Sequence, residues 1–298
     1  MKGAMTPDIL CIGAVLWDII ARSPAPMAKG DDVPGRISRL PGGVAMNIAA
    51  TLVRLGWNPG MLCAIGQDAE GAELIARITA MGLDARHVFR CTTPTDRYLA
   101  IEDSTGLVAA VADAHSLELA GDAILAPLSD GRLGSAEAPW TGPVALDGNL
   151  TTALLAEIAA SPLFARADLR IAPASPGKAD RLVPLLRHPG ATLYLNLFEA
   201  NILSGHPDTS APGAAARLLH LGAERVLVTD GPRPCADAAH GQGVLTGQPP
   251  AAPLRRVTGA GDTFMAAHLT AELHGAARPA ALEAALTAAA RFISGDTA

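Results

Sequence analysis

The clearest chemical signal lies in Val257-Thr258-Gly259-Ala260-Gly261-Asp262-Thr263-Phe264. A proline-rich connector precedes it and a long apolar run follows. Small residues at 259–261 let the backbone approach a ligand closely. The unpaired N–H groups of a helix start then point at that ligand, which makes an anion hole. Asp262 falls in the first helical turn and reads in two ways. It stabilises the helix start as a capping, dipole-facing carboxylate, or it is a general base beside a bound phosphate.

Four further sets could do chemistry. Pro41-Gly42-Gly43-Val44-Ala45-Met46-Asn47 leads into a second helix. Its glycines bring the backbone near a ligand or simply make a turn, and Asn47 binds a hydroxyl or is an ordinary helix residue. Asp18 follows the first strand, where ligands of open α/β sheets sit. It can accept two hydroxyl hydrogen bonds from a polyol or form a turn. Asn196 and Glu199 follow a later strand. They can order water around Mg²⁺, which keeps most of its waters, or cap the next helix. Thr229-Asp230-Gly231 ends another strand and can line a nucleotide or make a turn.

The elements that must position these residues alternate between short apolar runs and amphipathic stretches. Strands are expected at Asp8–Ala14, Met61–Ile65, Pro143–Leu146, Leu169–Ala172, Thr192–Leu195 and Glu224–Thr229. Helices are expected at Val44–Leu55, Glu70–Met81, Thr152–Ala160, Lys178–Leu186, Ala211–Leu221, Asp262–His274 and Ala280–Ile293. This alternation predicts an α/β fold, a mostly parallel central sheet flanked by helices on both faces. Ile19–Leu40 and Arg97–Ala112 break the alternation. They are expected to pair as a small antiparallel flap or to be plain surface hairpins. Gly121–Thr141 reads as loop.

Hydrophobic residues make up 49% of the 298 and charged residues 17%, which excludes a disordered chain. The net charge of −6 argues against a nucleic-acid coat but permits a small anion held by backbone N–H groups. Cys11, Cys63, Cys91 and Cys235 lack zinc spacing and are expected to be free thiols in a reducing cytoplasm. The apolar run Ile9–Trp17 is flanked by Asp8 and Asp18 with only Lys2 before it, unlike a signal peptide. No apolar run is long enough to span a membrane.

Taken at their intervals, these motifs resemble a known family. Gly42-Gly43-x-x-x-Asn47 with Ala49, Gly56 and Gly66 is similar to the N-terminal signature of the ribokinase/PfkB carbohydrate kinases. Thr258-Gly259-Ala260-Gly261-Asp262 with Ala266 and Ala267 is similar to the C-terminal one, and Asn196-x-x-Glu199 falls between. The resemblance covers essentially the whole chain. It implies one ribokinase-like α/β domain over 1–298, with a small β lid from about 15–40 and 95–113. It implies ATP and Mg²⁺ as cofactors. Asp262 would be the base, and Gly259, Ala260 and Gly261 would donate to the transferring phosphoryl group. Asp18, Gly42, Gly43 and Asn47 would hold sugar hydroxyls. Asn196, Thr229, Gly231 and Thr258 would meet the nucleotide, and Glu199 would hold Mg²⁺ through water. A homodimer through the lid also follows from the resemblance.

Two features depart from the family pattern. Pro232 and Pro234 follow Gly231 where a second glycine is usual, which puts nucleotide placement in question. Arg256 stands where many members carry Asp or Asn, which puts a monovalent-cation requirement in question. Within the family, the stretch Thr95 to Gly106, then Ala112-Asp113 and Asp147-Gly148-Asn149, resembles pseudouridine kinases. Asp113 and Asn149 would then meet ribose or base. Ribose, adenosine or another nucleoside is the alternative acceptor, and a catalytically weak nucleoside-binding regulator is the alternative class. A dinucleotide-dependent oxidoreductase would need Gly-x-Gly-x-x-Gly after the first strand, and Val15-Leu16-Trp17-Asp18 is not that.

Overall fold

The computed structural model describes residues 6–296, so Lys2 lies outside the described residues. Eight strands form the main sheet. Their order is Gly243–Gly247, Arg233–Ala239, Arg225–Asp230, Ala191–Asn196, Asp168–Ala172, Pro143–Asp147, Ile9–Ile12 and Pro59–Leu62. The run from Arg225–Asp230 to Pro59–Leu62 is parallel throughout, and the other two strands join antiparallel. The parallel strands are apolar because helices cover both faces. Successive side chains alternate between those faces. Leu10 and Ile12 pack into one core, and Ile9 and Cys11 pack into the other.

Helices start where the sequence supplies acceptors for their free N–H groups. Thr151 caps Thr152–Ala160 by accepting from Leu154 N at 3.1 Å. Ser210 caps Ala211–His220 through Gly213 N at 3.3 Å. Asp68 caps Ala69–Ala80 through Gly71 N at 2.8 Å.

A second, four-stranded sheet has the order Arg36–Gly42, Leu16–Arg22, Arg97–Asp103, Gly106–Asp113. The two irregular segments do pair. Leu16–Arg22 and Arg97–Asp103 run parallel, so this sheet is mixed rather than antiparallel. Its base is fixed by Trp17, whose buried indole N–H donates to Glu70 O at 3.1 Å beneath the Arg39 guanidinium.

Several expected elements change. Met61–Ile65 divides into Pro59–Leu62 and Ala64–Gly66, the latter pairing with Phe89–Cys91. Lys178–Leu186 is a 3-10 helix, Pro176–Leu185, with Pro176 in its first turn and Pro184 near its end. Gly121–Thr141 is not all loop: a 3-10 helix covers Gly121–Leu128. The α-helix Leu197–Ser204 and the hairpin Arg233–Gly247 lacked a periodic signal. No helix among the described residues is long and apolar enough to cross a membrane. All four cysteines are unpaired and buried.

Candidate active site

Two helices, Val44–Arg54 and Ala260–Leu273, begin at the same place. Asn47 Nδ2 donates to Asp262 Oδ2 at 2.9 Å across that junction. The positive ends of both helix dipoles therefore face one site. Asp262 keeps part of its surface open, yet the surrounding protein desolvates its carboxylate. Its pKa is pushed up to about 7, chiefly by that desolvation and further by the charges of Asp147, Glu199 and Asp18. The Asn47 amide opposes the rise. A carboxyl group tuned to neutral pH suits a general base.

Gly259 enters the second helix with φ 91, and an added Cβ would lie 2.9 Å from Phe292 Cζ. Ala260 N–H is turned into Val257 O at 3.0 Å. This corrects the expectation of three donors at 259–261. Among the described residues, the N–H groups of Gly259, Gly261 and Asp262 keep no backbone partner at this helix start, and such free groups can face an anion.

Asp18 follows the first strand, Ile9–Ile12, and lies inside a second one, Leu16–Arg22. Its half-buried carboxylate is raised to about 6 by desolvation. A Cβ on Gly42 would sit 2.1 Å from Asp18 Oδ2, so this position admits only glycine while Asp18 holds its place. Gly43 has φ 101, and a Cβ there would strike Ala14 O at 2.2 Å. The glycine pair thus brings the first helix against the segment that leads to Asp18.

Asp147 ends the strand Pro143–Asp147 and is fully buried. Its oxygens accept from Ala14 N at 2.9 Å, Ala45 N at 3.0 Å and Asn149 N at 2.8 Å. Burial raises its pKa and these bonds oppose the rise. Asn149 Oδ1 accepts from Lys178 Nζ at 2.6 Å. Desolvation lowers the pKa of Lys178.

On the other flank, Asn196 and Glu199 form a capping box. Glu199 N donates to Asn196 Oδ1 at 2.9 Å, and Asn196 N donates to Glu199 Oε2 at 2.8 Å. Burial raises the pKa of Glu199, and its charge reaches Asp262. Thr229 Oγ1 donates to Leu195 O at 3.4 Å, and Gly231 turns the chain with φ 57. Pro234 sits beside a bulge between Val228 and Asp230, which lets the strand Arg233–Ala239 carry it. Thr258 is exposed in the turn before Gly259. Arg256 lies over the Phe292 ring, 3.5 Å from its centroid, and donates to Phe292 O at 2.9 Å.

The structure therefore joins Asn47 to Asp262 and sets Asp18, Asp147 and Glu199 within electrostatic range of that aspartate. It does not bring Asp113 into the group. That side chain is 72% exposed, with His115 as its ionic neighbour. Asp147 has no role in the motif reading above, and Lys178 is absent from it. A carboxylate ending a fully apolar strand, followed by glycine, is the signal that could have found Asp147.

This chain matches the description pfkB family carbohydrate kinase over residues 6–295, and it belongs to that family. It is 32% identical to the pseudouridine kinase of Escherichia coli (strain K12) over 102 residues, 33% of this chain and 32% of that one. It is 36% identical to the pseudouridine kinase of Arabidopsis thaliana over 64 residues, 22% of this chain and 17% of that one. The matched stretches thus span a third or less of these curated relatives. The Arabidopsis thaliana ribokinase structure, complexed with ribose and ATP, superposes with a TM-score of 0.77. It is 22% identical and covers 97% of this chain and 93% of that one. The fold is ribokinase-like.

Proposed function

We propose that this protein is an ATP-dependent phosphotransferase acting on the hydroxymethyl group of a ribosyl substrate, with pseudouridine converted to pseudouridine 5'-phosphate. The observation that carries the reading is the Asn47–Asp262 contact at the meeting of two helix N-termini. A hydroxyl held there faces a base of pKa about 7 and an anion hole together. Asp262 takes the hydroxyl proton. The new bond joins the acceptor oxygen to the γ-phosphorus, the β–γ bridging bond breaks, and ADP leaves. Such transfer needs mainly positioning and charge stabilisation. Gly259, Gly261 and Asp262 N–H groups would meet the phosphoryl oxygens. Asp18, Gly42, Gly43 and Asn47 would hold the ribose, and Asn149 would lie towards the base. Asn196, Thr229, Gly231 and Thr258 would face the nucleotide.

Among the described residues no three acidic, His or Cys side chains gather to ligate a metal directly, so Mg²⁺ would be held mainly by water and phosphate in an acidic surround. Asp18, Asp147 and Glu199 each raise the pKa of Asp262, so the site carries an acidic excess before polyanionic ATP enters. Glu199 would hold the ion through water, and Mg²⁺ supplies charge neutralisation on the phosphates. The pseudouridine reading draws on the two curated relatives named above. Ribose is the next acceptor to consider, as the ligand of the Arabidopsis ribokinase.

We also read the chain as one domain whose four-stranded sheet is a lid. Ile37, Leu40, Leu107 and Val111 are large apolar residues exposed on that sheet, which supports a homodimer through it. The four buried unpaired thiols support a cytoplasmic setting.

The test is ATP-dependent phosphorylation of pseudouridine, uridine, adenosine and ribose side by side. Turnover of pseudouridine with uridine inert supports the reading. Preferential turnover of ribose or adenosine overturns the choice of acceptor.

A further inference from the structure

We propose that Asp147 is a positioning residue that fixes the acceptor-binding side of the site from beneath. The first strand, Ile9–Ile12, lies between Pro59–Leu62 on one side and Pro143–Asp147 on the other. The chain leaves the first strand towards one edge and later returns beside it. That makes this the topological switch point, where open α/β sheets bind ligands beyond the carboxyl ends of the strands. Asp147 ends its strand at this point.

Its carboxylate is wholly buried, and three backbone N–H groups donate to it, with the Asn149 side chain beside them. Oδ2 takes Ala14 N and Ala45 N together, and Oδ1 takes Asn149 N. Each partner opens onto a different piece of the acceptor side. Ala14 leads to Asp18, four residues on. Ala45 lies in the first turn of the helix that presents Asn47. Asn149 carries its own amide, held by Lys178. One side chain therefore sets the relative positions of three separate segments.

The packing is tight around it. A Cβ on Gly13 would lie 2.3 Å from Asp147 Cγ, so the loop after the first strand rests directly on the carboxyl group. An ionised carboxylate suits this place because it only accepts. Asparagine has the same shape but one accepting oxygen. Whichever way its amide is turned, it presents a donor to at least one N–H that Asp147 now satisfies. None of the three bonds reaches the nucleotide side, where Asn196, Glu199 and Thr229 have their own partners.

The inference rests on the acceptor side assigned above, but not on the choice of pseudouridine. Its assay uses whichever ribosyl acceptor the wild-type enzyme turns over fastest. Asp147→Asn is expected to raise KM for that acceptor at least tenfold while KM for ATP stays within twofold. Calorimetric titration with the acceptor alone is expected to show the same loss, independently of turnover. Gly13→Ala keeps the carboxylate but places a methyl group against it, and is expected to give the same acceptor-selective loss. It serves as the second arm if Asp147→Asn folds poorly. An unchanged acceptor KM in the folded variants, or an equal rise in both KM values, overturns the proposal.

Discussion

Asn47 and Asp262 stand 215 positions apart in sequence, yet their side chains share a hydrogen bond of 2.9 Å. The bond joins the starts of two helices that the sheet aims at one point. It also acts on chemistry, because the Asn47 amide stabilises the ionised form of Asp262. The opposing influence is desolvation, aided by neighbouring carboxylates, and the balance sits near neutrality.

Activity is therefore expected to depend on pH through this group. Below about 7 the base holds its proton, so kcat/KM falls about tenfold per pH unit once well below that value. Asn47→Ala removes a donor to the carboxylate and raises its pKa. The acid limb of the kcat/KM profile is expected to move to higher pH in that variant. A limb that stays in place or moves lower would separate Asn47 from the tuning of Asp262.

Stability is expected to carry the same signature with a definite sign. The folded pKa of about 7 lies above the ordinary carboxylate value, which is about 3.9. Folded protein thus binds the extra proton between those values. The contribution is fully present below the unfolded pKa and is lost as pH rises through 7. Asp18, raised to about 6, adds in the same direction. Asp262→Asn should therefore raise the melting temperature at pH 8 by the equivalent of at least ~1 kcal/mol, and change it much less at pH 4. Thermal melts of both proteins at the two pH values decide this.

How much of this was legible beforehand differs between the parts. The parallel strands were readable because burial on both faces leaves continuous apolar runs. The glycine motifs were readable because close backbone approach demands small residues, and the structure puts Asp18 and Ala14 where Cβ atoms at 42 and 43 would go. The hairpin Arg233–Gly247 was hidden by Pro234, which sits at the strand start beside the bulge at Val228 to Asp230. Asp147 was hidden because its partners are backbone groups at 14 and 45, and backbone N–H groups leave no trace in residue types. The sequence does not reveal that Ala260 is no free donor, because one local turn to Val257 O consumes its N–H.

Gly42→Ala is expected to act on the acceptor alone. The new methyl group would fall on the Asp18 carboxylate, displacing the side chain or the strand end. KM for the acceptor should rise at least ~10-fold, equivalent to about 1.4 kcal/mol, with KM for ATP little changed. Steady-state kinetics in each substrate measure the split, and a loss shared equally by ATP would mean the damage is not local to Asp18.

Gly259→Ala is expected to destabilise the start of the helix that carries Asp262. The position has φ 91, which costs an alanine roughly 1–2 kcal/mol, and the methyl group would press on Phe292. Phe292→Leu in the same chain should recover part of the loss by removing the ring contact, but not the backbone part. Denaturant melts of the single and double variants read both components. Full recovery would show that the backbone conformation carries no strain.

The most direct measurement is phosphoryl transfer itself, followed with labelled ATP and pseudouridine for the wild-type protein and Asp262→Asn in parallel. The expected result is a 5'-phosphate product from the wild type and a kcat lower by roughly 10²–10⁴ or more in the variant, with ATP affinity preserved. Near-equal kcat values in the two proteins would contradict the assignment of Asp262 as the base.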